Sequence, residues 1–142
     1  MRIVVFSGTT EGRDFSRAAA ALGIAVTVSV ATDLGAEEQG QAPSITVHSG
    51  RLLPGAMAEL LQGAALCVDA THPYARVVTE NLRGAVDTLK SLEKDAHFPI
   101  YLRLERKIDG ITEADDIVTN VQYFENLSLI HISEPTRRVV IS

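Results

Sequence analysis

Two glycines and two threonines share one short turn near the start of the chain. Gly8, Thr9, Thr10 and Gly12 follow an apolar run at residues 2–6, and apolar residues recur after them at helical spacing. Because glycine has no side chain, backbone N–H groups at such a turn can approach a diphosphate, and the helix dipole favours negative charge there. The turn therefore indicates a nucleotide-phosphate site, with helix capping by Thr9 and Thr10 as the alternative.

Arg13 lies in the first turn of the predicted helix and could add positive charge beside the same phosphates. Ser7 stands where a three-glycine dinucleotide fingerprint could have its first glycine. The bare glycine pattern is therefore not specific for a dinucleotide.

The end of the second predicted strand bears on the choice of cofactor. A NAD-binding fold usually offers an acidic side chain to the ribose 2′-hydroxyl roughly 20 residues after the glycine turn. Here that strand carries Ser29 and Thr32, whose small side chains leave room for a 2′-phosphate. Asp33 could still take the NAD role, and Arg51 could pair with a 2′-phosphate, so the residues alone leave both cofactors open.

A third group of candidates follows the fourth predicted strand. Thr71, His72, Pro73 and Tyr74 come directly after it, at the edge of a parallel sheet where a nicotinamide ring could lie and a substrate could approach. His72 could donate a hydrogen bond or a proton as hydride arrives, or it could simply fix the loop.

Arg103 and Arg106 are spaced by two residues near the fifth predicted strand. Guanidinium groups bind carboxylates through two parallel hydrogen bonds, so these side chains suit a substrate that carries carboxylates. The alternative is a solvated strand end in which they pair with Glu105.

Strands and helices alternate along the chain in the manner of βαβ units. Continuous or β-branched apolar runs predict strands at 2–6, 25–30, 45–48, 64–68 and 100–102, with helical spacing of apolar residues after the first, third and fourth of them. This order predicts an α/β fold with a Rossmann-like, doubly wound parallel sheet, whose ligands bind beyond the carboxyl ends of the strands. The first and fourth strands should be central, and residues 33–44 and 109–116 should be loops.

Composition sets further bounds. The chain has 142 residues, 46% apolar and 22% charged, which suits one globular domain without an apolar run long enough to span a bilayer. A net charge of -5 spread along the chain argues against a nucleic-acid or anionic-membrane surface. Cys67 is the only cysteine and should be a buried core thiol. No apolar stretch at the start resembles a signal peptide, so we expect a cytoplasmic protein.

The last sixteen residues differ in character from the rest. Residues 127–137 read LSLIHISEPTR, which resembles a translated transposase-type sequencing adapter. We therefore predict a biological domain at residues 1–126 and a non-native, adapter-derived tail at 127–142. The alternative is a genuine strand over 127–132.

Five segments together resemble the precorrin-6A reductase family of cobalamin biosynthesis. They are, in order, GTTEGR at 8–13, VSVAT at 28–32, GRL at 50–52, DATHPYA at 69–75 and RLER at 103–106. The resemblance implies hydride transfer from NADPH to a double bond of precorrin-6A or its cobalt form, without metal or flavin. Lys107 departs from the proline that relatives commonly have there, and the family's second α/β lobe is missing, which implies nucleotide binding without turnover.

The resemblance also assigns roles to individual residues. The diphosphate would be held by Gly8, Thr9, Thr10, Gly12 and Arg13. The adenosine ribose would lie near Ser29, Thr32 and Arg51, and the nicotinamide would lie near Thr71. The macrocycle would contact His72, Pro73, Tyr74, Arg103 and Arg106. One rival is a nucleotide-binding or regulatory module without reductase activity, which would not need the segment at 69–75. Another is a dehydrogenase-type or sugar-nucleotide enzyme on the same fold, but its usual Tyr-x-x-x-Lys pair is absent from the sequence.

Overall fold

A computed structural model describes residues 2–92, 99–106 and 136–141, and side chains for 2–92 and 99–104. The strands are β1 (Arg2–Ser7), β2 (Ala25–Val30), β3 (Ile45–Ser49), β4 (Leu66–Ala70), β5 (Ile100–Arg106) and β6 (Thr136–Ile141). The helices are α1 (Thr10–Ala21), α2 (Asp33–Gln39), α3 (Pro54–Leu61) and α4 (Arg76–Leu92).

All described strands pair in parallel in the order β3-β2-β1-β4-β5-β6. This is the strand order of a Rossmann-like sheet, and the chain reverses its direction of travel across the sheet between β1 and β4. The predicted fold class is confirmed, as is the central position of the first and fourth strands. A ligand site is expected at the carboxyl ends of these two strands and their neighbours.

The sheet is covered by apolar layers on both faces. On one face, Phe15 and Ala19 of α1 pack against side chains that include Ile3 and Val5. On the other, residues of α3 and α4 pack against Val4 and Phe6 with their neighbours. Successive residues of β1 thus enter opposite layers, which explains why residues 3–6 are continuously apolar.

Cys67 lies in the second layer and is fully buried. Burial, and to a smaller extent the charge of Asp69, raises the pKa of its thiol well above the usual range. The thiol therefore stays protonated and serves as a core side chain. Within the part of the chain that the structure describes, no helix combines the length and the apolar character needed to cross a membrane.

The predicted loop at 33–44 is wrong in its first half, because α2 occupies it. Thr32 is the N-cap of this helix, and its Oγ1 accepts a hydrogen bond from the Gly35 N–H at 3.0 Å. Gly40 ends the helix with φ +71°. Only Gln39 of this helix is buried, so its sequence lacks the apolar period by which helices are recognised. The loop predicted at 109–116 lies outside the described residues.

Two strands, β4 and β5, also differ from the prediction by two or more residues at one or both ends. β5 continues to Arg106 instead of ending near residue 102. β4 begins at Leu66 and ends at Ala70, so Asp69 is a fully buried member of the strand. An acidic residue inside a buried strand requires hydrogen-bonding or oppositely charged partners.

β6 lies within the segment 127–142 that resembles adapter sequence, and it pairs with β5 at the edge of the sheet. Strand pairing uses backbone groups that every non-proline residue carries, so it does not distinguish a native from a foreign segment. The adapter origin of 127–142 therefore stays a prediction. The source nucleotide sequence tests it directly: codons that differ from the adapter would refute it.

Candidate functional site

A cavity of about 600 Å³ opens at the carboxyl ends of β1 and β2. This volume is in the range of ligand pockets for small molecules and cofactors. It is bounded by the N-terminal part of α1, by α2 and by the loop after β4. Its lining residues are Ser7, Gly8, Thr9, Thr10, Glu11, Arg13, Val30, Ala31, Thr32, Leu34, Gly35, Glu38, Gln39 and His72.

Thr9 ties the start of α1 to the end of β4. Its Oγ1 accepts a hydrogen bond from the Gly12 N–H at 3.2 Å and donates one to the Ala70 carbonyl at 2.7 Å. The hydroxyl proton is thus already used within the protein, which favours the capping role. Thr10, by contrast, is the first residue of α1, is exposed and lines the cavity. N–H groups in the first turn of a helix have no intrahelical acceptor, so an anion can bind here.

The two glycines of the turn have different roles. A Cβ at Gly12 would lie 2.5 Å from Ser7 Oγ and 2.8 Å from Ala70 Cβ, so only glycine lets α1 pack this closely against the sheet. A Cβ at Gly8 would be no closer than 3.9 Å to Thr71 Cα. Gly12 is therefore a packing glycine, and Gly8 is the exposed glycine that faces the cavity.

Arg13 of α1 and Gln39 of α2 also line the cavity. Arg13 has its Nε 3.7 Å from Asp14 Oδ1, too long for a hydrogen bond. Gln39 is only 3% exposed. Neither Arg13 Nε nor Gln39 Nε2 has a hydrogen-bond partner among the residues that the structure describes. Sequence reasoning selected Arg13 but missed Gln39, because its segment was predicted to be a loop.

Asp69 is the centre of a buried polar network beneath the loop that follows β4. Its Oδ1 accepts from Thr71 Oγ1 at 2.6 Å, from the Thr71 N–H at 3.2 Å and from Arg103 Nη1 at 2.9 Å. Its Oδ2 accepts from Thr79 Oγ1 and from the Tyr101 hydroxyl, both at 2.7 Å. Burial alone would raise the pKa of Asp69, but the hydrogen bonds from Thr71, Thr79 and Tyr101 and the charge of Arg103 outweigh it and lower the pKa.

Arg103 is held by this network as well. Its side chain is 12% exposed, and it donates to the Thr71 carbonyl at 2.8 Å and to Thr71 Oγ1 at 3.2 Å in addition to Asp69. The pairing with Asp69 is not one that the sequence predicted. Because much of the guanidinium is bound to Asp69 and Thr71, the structure gives Arg103 a positioning role for the loop, and its contact with substrate stays a prediction.

Tyr101 completes the network from β5. Burial, and then its hydrogen bond to Asp69, raises the pKa of this phenol above the usual range, so it remains a donor. The Arg83 guanidinium lies 5.2 Å from the centre of the Tyr101 ring, a cation–π distance. Tyr101, Thr79 and Asp69 were all missed by sequence reasoning. The available signal was an aspartate within an otherwise apolar strand.

The network positions His72 at the cavity. His72 Nδ1 accepts a hydrogen bond from the Tyr74 N–H at 3.3 Å, and the Ala75 N–H donates to the His72 carbonyl at 2.8 Å. In the neutral imidazole this leaves the proton on Nε2, so Nε2 is the donor atom. The Tyr74 ring lies 5.0 Å from the His72 ring and is 84% exposed. Pro73, between them, is exposed as well.

Other predicted residues lie near the same edge but do not line this cavity. Ser29 is buried within β2, and Arg51 is exposed after the end of β3. Asp33 begins α2, and its Oδ1 accepts a hydrogen bond from Ser49 Oγ at 3.1 Å. The side chain of Arg106 lies outside the described residues.

The strand order and the cavity at the carboxyl edge define a Rossmann-like α/β protein. The sequence profile of the family described as Precorrin-6x reductase CbiJ/CobK matches residues 2–141. The chain therefore belongs to the precorrin-6x reductase family. It is also similar to the cobalt-precorrin-6A reductase of Salmonella typhimurium, with 36% identity over 88 residues, which are 61% of this chain and 33% of that relative. The matched region thus spans about a third of the curated relative's length.

Proposed function

We propose that this chain forms the NADPH site of an enzyme that reduces the macrocycle of precorrin-6A, or of cobalt-precorrin-6A, to the 6B form. The observation that carries the proposal is the cavity of about 600 Å³ between α1 and the end of β2, in a member of a reductase family. NADPH, when bound, supplies the hydride that a macrocycle double bond receives.

The residues around the cavity fit such a cofactor. Gly8 and Thr10 offer a turn and a helix start where backbone N–H groups meet a diphosphate. Val30, Ala31 and Leu34 offer apolar surface for an adenine ring, and Leu34 is 63% exposed although it is apolar. Thr9 and Gly12 keep the start of α1 in place against the sheet.

Two features of the site support NADPH over NADH as the cofactor. In NAD-specific Rossmann folds a carboxylate near the end of β2 receives the ribose 2′-hydroxyl. The corresponding Asp33 accepts a hydrogen bond from Ser49 and does not line the cavity. Arg13 does line it and adds positive charge that suits a 2′-phosphate.

The macrocycle would approach along the loop after β4. His72 is placed between the cavity and the exposed Tyr74, and its Nε2 would donate a hydrogen bond or a proton to the substrate as hydride arrives. Thr71 would adjoin the nicotinamide, and Pro73 and Tyr74 would contact the macrocycle. Arg103 and Arg106 would meet its carboxylates, and Arg103 would in addition hold Thr71 in place. The reaction needs no nucleic acid or membrane partner, and we propose that it takes place in the cytoplasm.

Binding and turnover are tested separately. Fluorescence or calorimetric titration of the chain with NADPH should give saturable binding, and an assay with precorrin-6A and NADPH should give no turnover, because the matched region spans only a third of the curated relative. Absence of NADPH binding by a folded chain would refute the cofactor site. Oxidation of NADPH that depends on precorrin-6A would show that this chain is active by itself.

A further inference from the structure

The helix α2 forms one wall of the cavity but is weakly packed against the sheet. It has seven residues, fewer than an isolated helix needs to be stable in water. Gln39 is its one buried residue, and its one apolar side chain that packs against the core is Ala36, which is only partly buried. Elements with so few buried apolar contacts open locally at a lower free energy than the rest of a fold.

Arg17 of α1 holds the C-terminal end of α2. Its Nη2 donates to the carbonyls of Glu38 and Gln39, both at 3.0 Å, and its Nε donates to the Gln39 carbonyl at 3.3 Å. The last carbonyls of a helix have no intrahelical donor, and a cation at this end is favoured by the helix dipole. Arg17 is an exposed residue, so these hydrogen bonds can break without leaving a buried charge.

The buried residue of α2 does not stabilise this position fully. Gln39 is 3% exposed, and its Nε2 has no hydrogen-bond partner among the residues that the structure describes. An unpaired buried donor lowers the stability of the conformation that buries it. The observed position of α2 is therefore held by Arg17 and opposed by the amide of Gln39.

The largest apolar side chain of α2 faces the cavity instead of the core. Leu34 is 63% exposed and lines the cavity together with Val30 and Ala31. A ligand with an apolar ring in this part of the cavity would cover Leu34. The ligand would thus give α2 the apolar contact that the core does not provide.

We propose that α2 is a movable wall of the cavity, which opens locally when the hydrogen bonds of Arg17 break and which a bound nucleotide closes by covering Leu34. The nucleotide part of this inference rests on the proposed cofactor site. The opening itself is a property of the chain without ligand. Arg17, which belongs to none of the sequence motifs, controls how often the wall opens.

Hydrogen exchange followed by NMR tests the opening without any ligand. The N–H groups of Ala36 and Gly40 donate to the Thr32 and Ala36 carbonyls at 3.1 and 3.2 Å, so they exchange when α2 opens. Their protection factors should be about tenfold or more below those in the middle of α1.

Two substitutions should move this exchange in opposite directions. Arg17→Met removes the hydrogen bonds to α2 and should lower the protection of Ala36 and Gly40 about tenfold. Gln39→Met keeps the side-chain volume, removes the unpaired donor and should raise that protection about fivefold. Arg76→Met, at an exposed arginine of α4, is the matched control and should leave it unchanged. Thermal unfolding midpoints should stay close to that of the wild type in all three variants, since α2 opens without unfolding the sheet.

Nucleotide gives the second readout. If the open form does not bind, NADPH at about 100 times its Kd should slow the exchange of Ala36 and Gly40 about hundredfold. The nucleotide 2′,5′-ADP at the same saturation should have the same effect, because the contact with Leu34 needs only the adenine half of the cofactor. Exchange in the last turn of α4, which opens independently at its end, should not change.

The outcomes separate this inference from the proposed function. Protection in α2 equal to that in α1, or unchanged by Arg17→Met, would overturn the inference whatever the chain binds. Saturable NADPH binding that leaves the exchange of α2 unchanged would overturn it as well. A folded chain that binds neither nucleotide would instead refute the cofactor site and the nucleotide part of the inference, while low protection of α2 and its further loss in Arg17→Met would still support the opening.

Discussion

Replacing Asp69 with asparagine removes a negative charge from a fully buried position and keeps the shape of the side chain. The hydroxyls of Thr79 and Tyr101 can rotate, so they can accept hydrogen bonds from the new amide in place of donating to a carboxylate. The remaining amide oxygen can still accept from Thr71. Arg103 cannot adapt in this way, because a guanidinium only donates and its side chain is only 12% exposed.

The expected loss of unfolding free energy follows from the charge of Arg103, which the substitution leaves unpaired. Removing one partner of a buried ion pair typically destabilises a protein by about 3–5 kcal/mol. Because asparagine keeps one acceptor and Arg103 keeps slight access to water, we expect the low end, about 3 kcal/mol. Single domains have unfolding free energies of about 5–15 kcal/mol, so Asp69→Asn should remove a large part of the total.

Urea denaturation followed by circular dichroism measures this change. Asp87→Asn on the exposed face of α4 is the matched control, and its unfolding free energy should lie within about 0.5 kcal/mol of the wild type. An Asp69→Asn protein as stable as this control would refute the conclusion that the network of Asp69 holds the loop and α4 to the sheet.

Three further predictions follow from individual contacts. The pKa of Asp69 is lowered in the folded chain, so the ionised carboxylate stabilises the fold above its unfolded pKa of about 3.9. This stabilisation is lost as the pH falls through the folded pKa. The difference in unfolding free energy between wild type and Asp69→Asn should therefore shrink in acid denaturation experiments. Gly12→Ala should cost about 1–3 kcal/mol in urea denaturation, because its Cβ would lie 2.5 Å from a side-chain atom, whereas Gly84→Ala on α4, with open space around it, should be neutral or stabilising; equal effects would contradict the packing role of Gly12. Thr10→Asp should weaken NADPH binding about tenfold by like charge without loss of thermal stability, while Thr10→Ser stays close to wild type; equal affinity of the aspartate variant and the wild type would contradict a diphosphate at the start of α1.

The order of elements is predictable from the sequence because burial on both faces leaves a direct trace in it. Residues 3–6 are apolar without interruption because β1 is covered by helices on both sides. α2 leaves no such trace, because it buries one polar residue and holds its start through the cap at Thr32. The helical spacing of apolar residues in the sequence therefore reveals helices that pack by an apolar face and misses a helix that does not.

The candidate site was predicted in its location and only partly in its members. Gly8, Thr10, Arg13 and His72 line the cavity, because each lies at or next to the end of a strand or the start of a helix. The partners of Asp69 come from α4 and β5, far along the chain, so no local pattern reveals them. Gln39 depends on the contact between α1 and α2, which a single sequence without the fold does not contain.

The most direct test of the account is the location of bound NADPH on the chain. Amide NMR spectra of the isotope-labelled protein, recorded during titration with NADPH, should change at residues 8–13, at 31–39 and at His72, and should remain unchanged on the edge strand β3 and in the C-terminal half of α4. Changes confined to residues away from the carboxyl ends of β1 and β2 would contradict the account, as would a folded chain whose spectrum NADPH leaves unchanged.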